Sequence, residues 1–229
     1  MKSFFKVLLL LLIISCNQND SILNNTTLTK DSVDAKHNPV TANSDSVVSA
    51  AENSTDSALH GINEKSLIIL SSKILRSLKE KGYAGLAEFI HPELGIRFSP
   101  YAYIDTTADQ LLSRNKLIAL GKSQKKIKWG YEDGTGKPIK LSINNYVEKF
   151  VYDVDFLNAE KKGVNKFFGG GNSLNNLKEI YPRCNFAEFY FSGFDPKFEG
   201  MDWRTLRLVF KDYKKNYYLI AIVHDQWTI

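Results

Sequence analysis

The sequence predicts an α+β domain, with helices first and an antiparallel sheet after them. Three observations carry this reading. Leu67, Leu70, Ile74 and Leu78 recur at the spacing of a helix laid on a core. After Pro182 the period falls to two, so Leu206, Leu208 and Phe210 share one strand face and Thr205, Arg207 and Val209 the other. Between residues 17 and 62 there is no aromatic and no sustained apolar period, which confines folding to Asn63 onward.

The chain begins with Lys2 and Lys6, an apolar run from Val7 to Ile14, and then Ser15 and Cys16. A cationic start, a short apolar segment and a small residue before a polar break make a secretory signal peptide over residues 1–15. The run is shorter than the roughly 20 apolar residues that span a bilayer core. Ile13-Ile14-Ser15-Cys16 resembles the bacterial lipobox. That resemblance implies diacylation of the Cys16 thiol, membrane lipid as a partner, and a cell-envelope address; the alternative is an ordinary signal peptide that ends in cysteine. Asn17 in place of aspartate after the cysteine points to the outer membrane.

Residues 16–62 then read as the lipidated cysteine and a disordered tether. Its 46 residues after Cys16 are rich in Asn, Ser, Thr, Asp and Ala and bury too little to offset backbone ordering. A flexible chain of that length has an r.m.s. reach of about 35–40 Å. Four Asp-Ser-apolar triplets place Ser21, Ser32, Ser46 and Ser57 at separations of 11, 14 and 11. They resemble the O-glycosylation acceptor triplet of exported proteins in the Bacteroidota. Chance in an Asp/Ser-rich linker is the alternative.

The remaining residues, 63–229, suit a single domain. Asn63 is a plausible N-cap and Gly82 a C-cap for the first helix. A second helix, Tyr83 to Ile90, stops at His91 because Pro92 disfavours helical geometry before it. Ile96-Arg97-Phe98 reads as a strand, Asp109 to Leu120 as a helix, and Lys125 to Trp129 as a short strand. Asp133-Gly134-Thr135-Gly136 is a turn. Ser142 caps a helix marked by Ile143, Tyr146, Val147, Phe150 and Val151. Residues 159–176 read as a long loop. Three strands follow, Phe186 to Phe191, Arg204 to Lys211 and Tyr217 to Val223, with His224 to Ile229 closing the chain.

Composition excludes several function classes. The formal charge is +5, and +3 without Lys2 and Lys6, a mild excess that predicts no nucleic-acid partner. Cys184 has no intramolecular partner once Cys16 carries lipid, so no disulfide framework forms. No CxxC or HxxxH spacing occurs, so no zinc site of that type is predicted. Tyr131 and Pro138 occupy positions where a phosphate loop needs Gly and Ser or Thr, and Leu174 stands where a dinucleotide fingerprint needs its third glycine. The reading is therefore of no metal and no cofactor.

The order of elements resembles the NTF2-like fold, in which a curved sheet forms a cone around a helix and leaves a pocket at its open end. Three stretches are also similar to an uncharacterised family of bacterial lipoproteins: His91-Pro92 with Arg97 to Tyr101, Gly200 to Arg204, and His224 to Ile229. The resemblance implies fold and location but no mechanism. Within it, His91, Tyr101, Asp202 and His224 are the candidate catalytic residues, able to do acid–base work if they converge in the pocket. The alternative is that His224 and Asp225 pin the chain end to neighbouring backbone while Trp227 is core. Arg97, Trp203 and Arg204 are the candidate binding residues, a guanidinium fork and an indole face, or else a local salt bridge beside a packed ring.

Two functions stay open at this level. One is a binding or interaction module for a small apolar or anionic ligand or an envelope protein. The other is a cofactor-free isomerase, dehydratase or hydrolase, which requires at least two of the four acid–base candidates within hydrogen-bond reach in one cavity.

Overall fold

The computed structural model describes residues 63–171 and 173–228, all within one compact unit. The signal peptide, Cys16, the tether and the four Asp-Ser triplets lie outside the described residues.

Asn63 opens α1 (Glu64–Lys79), its side chain accepting the Ser66 N–H. Leu67, Ile74, Leu75 and Leu78 are buried along one stripe. The helix ends in a Schellman arrangement: Gly82 N–H donates to Ser77 C=O and Lys81 N–H to Leu78 C=O. The left-handed residue is Lys81 (φ 53°), not the expected Gly82, which has φ −80° and opens α2 (Tyr83–Phe89). Ile90 is already extended, one residue before the His91 that Pro92 restricts.

β1 (Ile96–Ser99) follows, and then a correction to the sequence reading. Residues 109–120 are not one helix. Gln110–Leu112 forms β2, antiparallel to β1 through Ile96↔Leu112. Ser113 then caps α3 (Arg114–Gly121) by accepting the Lys116 N–H. Ser113 is the switch, because a capping serine sits outside the helix in extended geometry. β3 (Ile127–Tyr131) and β4 (Pro138–Leu141) make a separate two-stranded hairpin around the expected 133–136 turn. Ser142 caps α4 (Ile143–Phe150) as its sequence predicts.

The span 159–176 is not wholly loop either. Lys161–Val164 forms β5, paired antiparallel with β6 (Asn185–Phe191). A Lys-Lys-Gly sequence has little strand preference of its own; the β6 edge supplies the pairing. A short α5 (Leu177–Ile180) precedes β6. β7 (Arg204–Tyr213) and β8 (Asn216–Gln226) close the chain as a long hairpin. β8 thus contains His224 and Asp225, which the sequence placed after the strand.

The six-stranded sheet has the order β2-β1-β8-β7-β6-β5. Its pairs are antiparallel except β1 with β8, which run parallel through Arg97↔Ala221 and Ser99↔Val223; a wholly antiparallel sheet was expected. One face carries Ala187, Phe189, Leu206, Leu208, Phe210 and Ile222 into the main core beneath α1 to α4. The other carries Phe186, Val209, Ala221 and Val223 into a second cluster with Ile104 and Leu177. The protein is therefore a mixed α+β fold built on one curved sheet with both faces covered. Trp227, expected in the core, is 42% exposed. Among the described residues no helix is long and apolar enough to cross a membrane.

Candidate functional site

The connection from β1 to β2 builds a cleft of about 380 Å³. Tyr101, Tyr103, Asp105 and Asp109 line it from this connection, and Tyr131, Glu132 and Asp133 from the β3–β4 hairpin. Backbone order comes from Asp105, whose Oδ1 accepts the N–H groups of Thr107 (2.8 Å) and Ala108 (3.1 Å) and the Thr107 hydroxyl (2.6 Å). Arg97 clamps the same loop, donating Nη1 to the carbonyls of Thr106 and Asp109 at 3.2 Å each.

Asp109 is buried at the edge of this cleft. Its Oδ2 accepts the Ser99 hydroxyl at 2.5 Å and the Asp105 N–H at 3.1 Å. Burial drives its pKa up to about 7, against the downward pull of those two hydrogen bonds, and the Asp105 carboxylate adds to the rise. Gly130 permits the close approach of the hairpin: its φ is +137°, and a Cβ there would lie 3.3 Å from Asp109 Oδ1. Behind the wall, Tyr146 stacks on Trp129 with centroids 4.0 Å apart. Its hydroxyl is buried without a hydrogen-bond partner among the described residues. Burial above all, then the charges of Asp109 and Tyr101, hold that phenol well above its ordinary range. A carboxyl poised near neutrality among tyrosines can pair with a cationic group or accept hydrogen bonds from hydroxyls, and the rings can stack on either kind of ligand.

The four acid–base candidates occupy different surroundings and share no hydrogen bond with one another. Tyr101 lies in the cleft, packed edge-on against Phe150. His91 is buried against Tyr213 and Tyr218, with Nδ1 accepting the N–H groups of Glu93 (3.2 Å) and Leu94 (3.1 Å). Asp202 holds the β6–β7 connection by accepting the N–H groups of Phe194 and Asp195 on Oδ2. His224 is wholly buried on β8, its Nε2 3.1 Å from Asp153 Oδ1.

Of the binding candidates, Arg97 is the loop clamp already described. Arg204 bonds Asp153 Oδ2 at 2.7 Å and the carbonyls of Asp202 and Trp203. Trp203 is buried beneath Gly171, where a Cβ would come within 2.8 Å of the indole. Asp153 therefore joins His224 to Arg204 beside a shallow groove lined also by Phe194 and Gln226. Burial would raise the Asp153 carboxyl, but bonding from His224 and Arg204 outweighs it and leaves the group below the carboxylate range.

Of a third cluster the sequence singled out only Asp225, expected to bond neighbouring backbone and found instead on the Arg207 side chain. On the far face of the sheet Arg207 donates Nε to Glu188 (2.6 Å) and Nη1 to Asp225 (3.0 Å), all three buried. Glu188 Oε1 accepts the N–H groups of Phe168 and Gly169, and Arg207 Nη2 donates to Gly169 C=O. Burial raises Asp225 even though Arg207 opposes it. Strand alternation pairs Arg207 with Thr205 and Val209 in direction only; its two carboxylate partners come from other strands. Asp109 and Ser99 were missed too, because only the turn of 100–109 brings them together. Among the described residues no group of three or more His, Cys, Asp or Glu side chains could hold a metal ion.

No family model matches the chain, and no curated protein does. Among solved structures, it is similar to a Xanthomonas campestris protein described as a calcium/calmodulin dependent protein kinase II association domain. The two are 11% identical, with a TM-score of 0.29 over 74% of this chain and 97% of that one. So slight a likeness carries no argument about this chain.

Proposed function

We propose that this is a lipid-anchored envelope protein whose domain is a ligand-binding module, with the Tyr101–Asp109 cleft as its site. The observation that carries the binding reading is the cleft itself: a buried carboxyl between Ser99 and Asp105, walled by Tyr101, Tyr103 and Tyr131. Its carboxylates turn the choice of ligand away from anions. A small cationic or hydroxyl-rich molecule with a flat or apolar face suits it. The anchor rests on Lys2, Lys6, the apolar run and Ile13-Ile14-Ser15-Cys16, and outer-membrane placement on Asn17. The helices set against one face of a curved sheet support an NTF2-like reading of the fold, and the three sequence stretches support kinship with the lipoprotein family.

Intact-mass and metabolite analysis of the chain purified gently from its native host tests the binding reading. A stoichiometric small molecule lost in Asp109→Ala and Tyr101→Ala supports it. A clean apo mass, with cross-linked partner proteins instead, moves the function to protein interaction.

A cofactor-free enzyme is the second reading, favoured by one observation: Asp109 titrates near neutrality beside the cleft. In that case Asp109 is the acid–base group, with Tyr101 nearby. Product formation from the co-purified molecule, abolished in Asp109→Asn while binding persists, would decide for it.

A further inference from the structure

The β3–β4 hairpin carries a second surface beside the cleft, with Tyr131 common to both. Residues 122–128 read Lys-Ser-Gln-Lys-Lys-Ile-Lys; Lys137 just before the return strand and Lys140 on it add two more. All six lysines are exposed. The register sets Lys128 directly opposite Lys140, while Ile127 and Leu141 form the neighbouring pair and Trp129 and Ile139 are buried. Lys126 immediately precedes β3 and is exposed. Among the described residues none of Lys122, Lys125, Lys126, Lys128, Lys137 or Lys140 makes an ion pair with a carboxylate. Of the hairpin's own two acidic residues, Glu132 pairs with Lys149 at 3.8 Å, and Asp133, in the turn, accepts the Gly134 N–H and pairs with none of these lysines.

Like charges set opposite each other across an antiparallel pair are destabilising. Here the domain keeps such a pair on a face whose six lysines make no ion pair among the described residues. Tyr131 stands beside it, 47% exposed, with Lys128 Nζ 3.2 Å from its hydroxyl and 4.6 Å from its ring centroid. Lysines around an exposed tyrosine match the chemistry of a bilayer's headgroup region, where phosphates meet ammonium groups and amphipathic rings sit at the boundary.

We infer that this hairpin face docks on anionic phospholipid headgroups. It is a weak, electrostatic contact of the folded domain. It needs no acyl chain, and its six lysines lie outside the Asp109 cleft, with which the face shares only Tyr131; the lysine variants therefore test it separately from the ligand reading.

Sedimentation of the full chain carrying Cys16→Ser with two kinds of vesicle tests this. One is phosphatidylcholine alone; the other is equal parts phosphatidylcholine and phosphatidylglycerol. The apolar run of residues 7–14 contributes alike to both, so the ratio of the two partition coefficients isolates charge. Lys128→Gln with Lys140→Gln should lower that ratio about 25-fold, at about fivefold per lysine near a charged surface. Lys161→Gln with Lys162→Gln, on the exposed β5 edge, should leave it unchanged. The preference should also vanish toward 1 M salt, where screening acts over about 3 Å. The hairpin variant should melt no lower than the unaltered chain, since it relieves a repulsion. Equal ratios for the two variant pairs, or no preference for the anionic vesicles at all, overturns the inference; in the latter case capture of an acidic envelope protein by the unaltered hairpin but not the variant would identify the partner instead.

Discussion

Arg207 and Glu188 face each other across the β6–β7 ladder, Nε to Oε2 at 2.6 Å, with neither side chain reached by solvent. Asp225 completes the set from β8, and the 168–169 backbone seals it. A buried charge is tolerable only with its partners in place. Arg207→Met should therefore destabilise the domain by about 3–5 kcal/mol, because it strands two carboxylates in the sheet. Replacing all three with apolar residues of similar volume should recover most of the loss. Urea unfolding of the single and triple variants checks both expectations, and a triple variant weaker than Arg207→Met would contradict them.

Asp109 makes stability depend on pH in an unusual direction. Its folded-state pKa of about 7 lies above the unfolded value of 3.8. The protonated form is thus favoured by folding, and that contribution is fully present below the unfolded value and lost as pH rises through the folded one. The domain should lose up to roughly 4 kcal/mol between about pH 4 and 7 from this group alone, since each pH unit separating the two values is worth about 1.36 kcal/mol. Asp109→Asn, neutral at every pH, should flatten that fall. Chemical denaturation across the range is the measurement.

Asp153 works the other way. Its carboxyl is held below the ordinary range, so its contribution is present above the unfolded pKa and disappears as pH drops through the folded value. Asp153→Asn should cost about 1–3 kcal/mol at neutral pH, since Arg204 and His224 lose a charged acceptor. Its melting temperature should then change less than that of the parent between neutral and strongly acidic buffer.

His91 offers a third pH test. Burial lowers its pKa, and Nδ1 must stay unprotonated to accept from Glu93 and Leu94. A depressed histidine supports folding above its unfolded pKa of about 6.5 and ceases to do so as pH falls through the folded value. His91→Asn keeps an acceptor near that position without a proton to gain, so the turn at Pro92 should survive acid better. Amide exchange at Glu93 and Leu94 reads this directly.

How far the fold was legible follows from which interactions are local. The α1 stripe, the Asn63 and Ser142 caps, the 133–136 turn and the period-two strands are all set by near neighbours, and each stands where its residues point. β2 and β5 were misread because strand pairing with β1 and β6 decides them, against weak local preference. Lys81 took the left-handed place beside an available glycine because the Schellman bonds count positions from the helix end. The cleft was legible only in Tyr101: Asp109, Ser99 and Asp105 meet through a loop whose course no periodicity encodes. The same holds for Asp153, which reaches both His224 and Arg204 from the segment after α4.

The parallel pairing of β1 with β8 has a consequence for how the molecule comes into being. β8 is last in chain order yet sits between β1 and β7, so the two halves of the sheet share no edge until it arrives. A chain emerging from its N-terminal end can assemble α1 to α4 and β1, but it cannot close the sheet. Closure of the sheet is thereby deferred until residues 216–226 are available. Cutting the chain before residue 216 should yield not a shortened domain but two unjoined pieces.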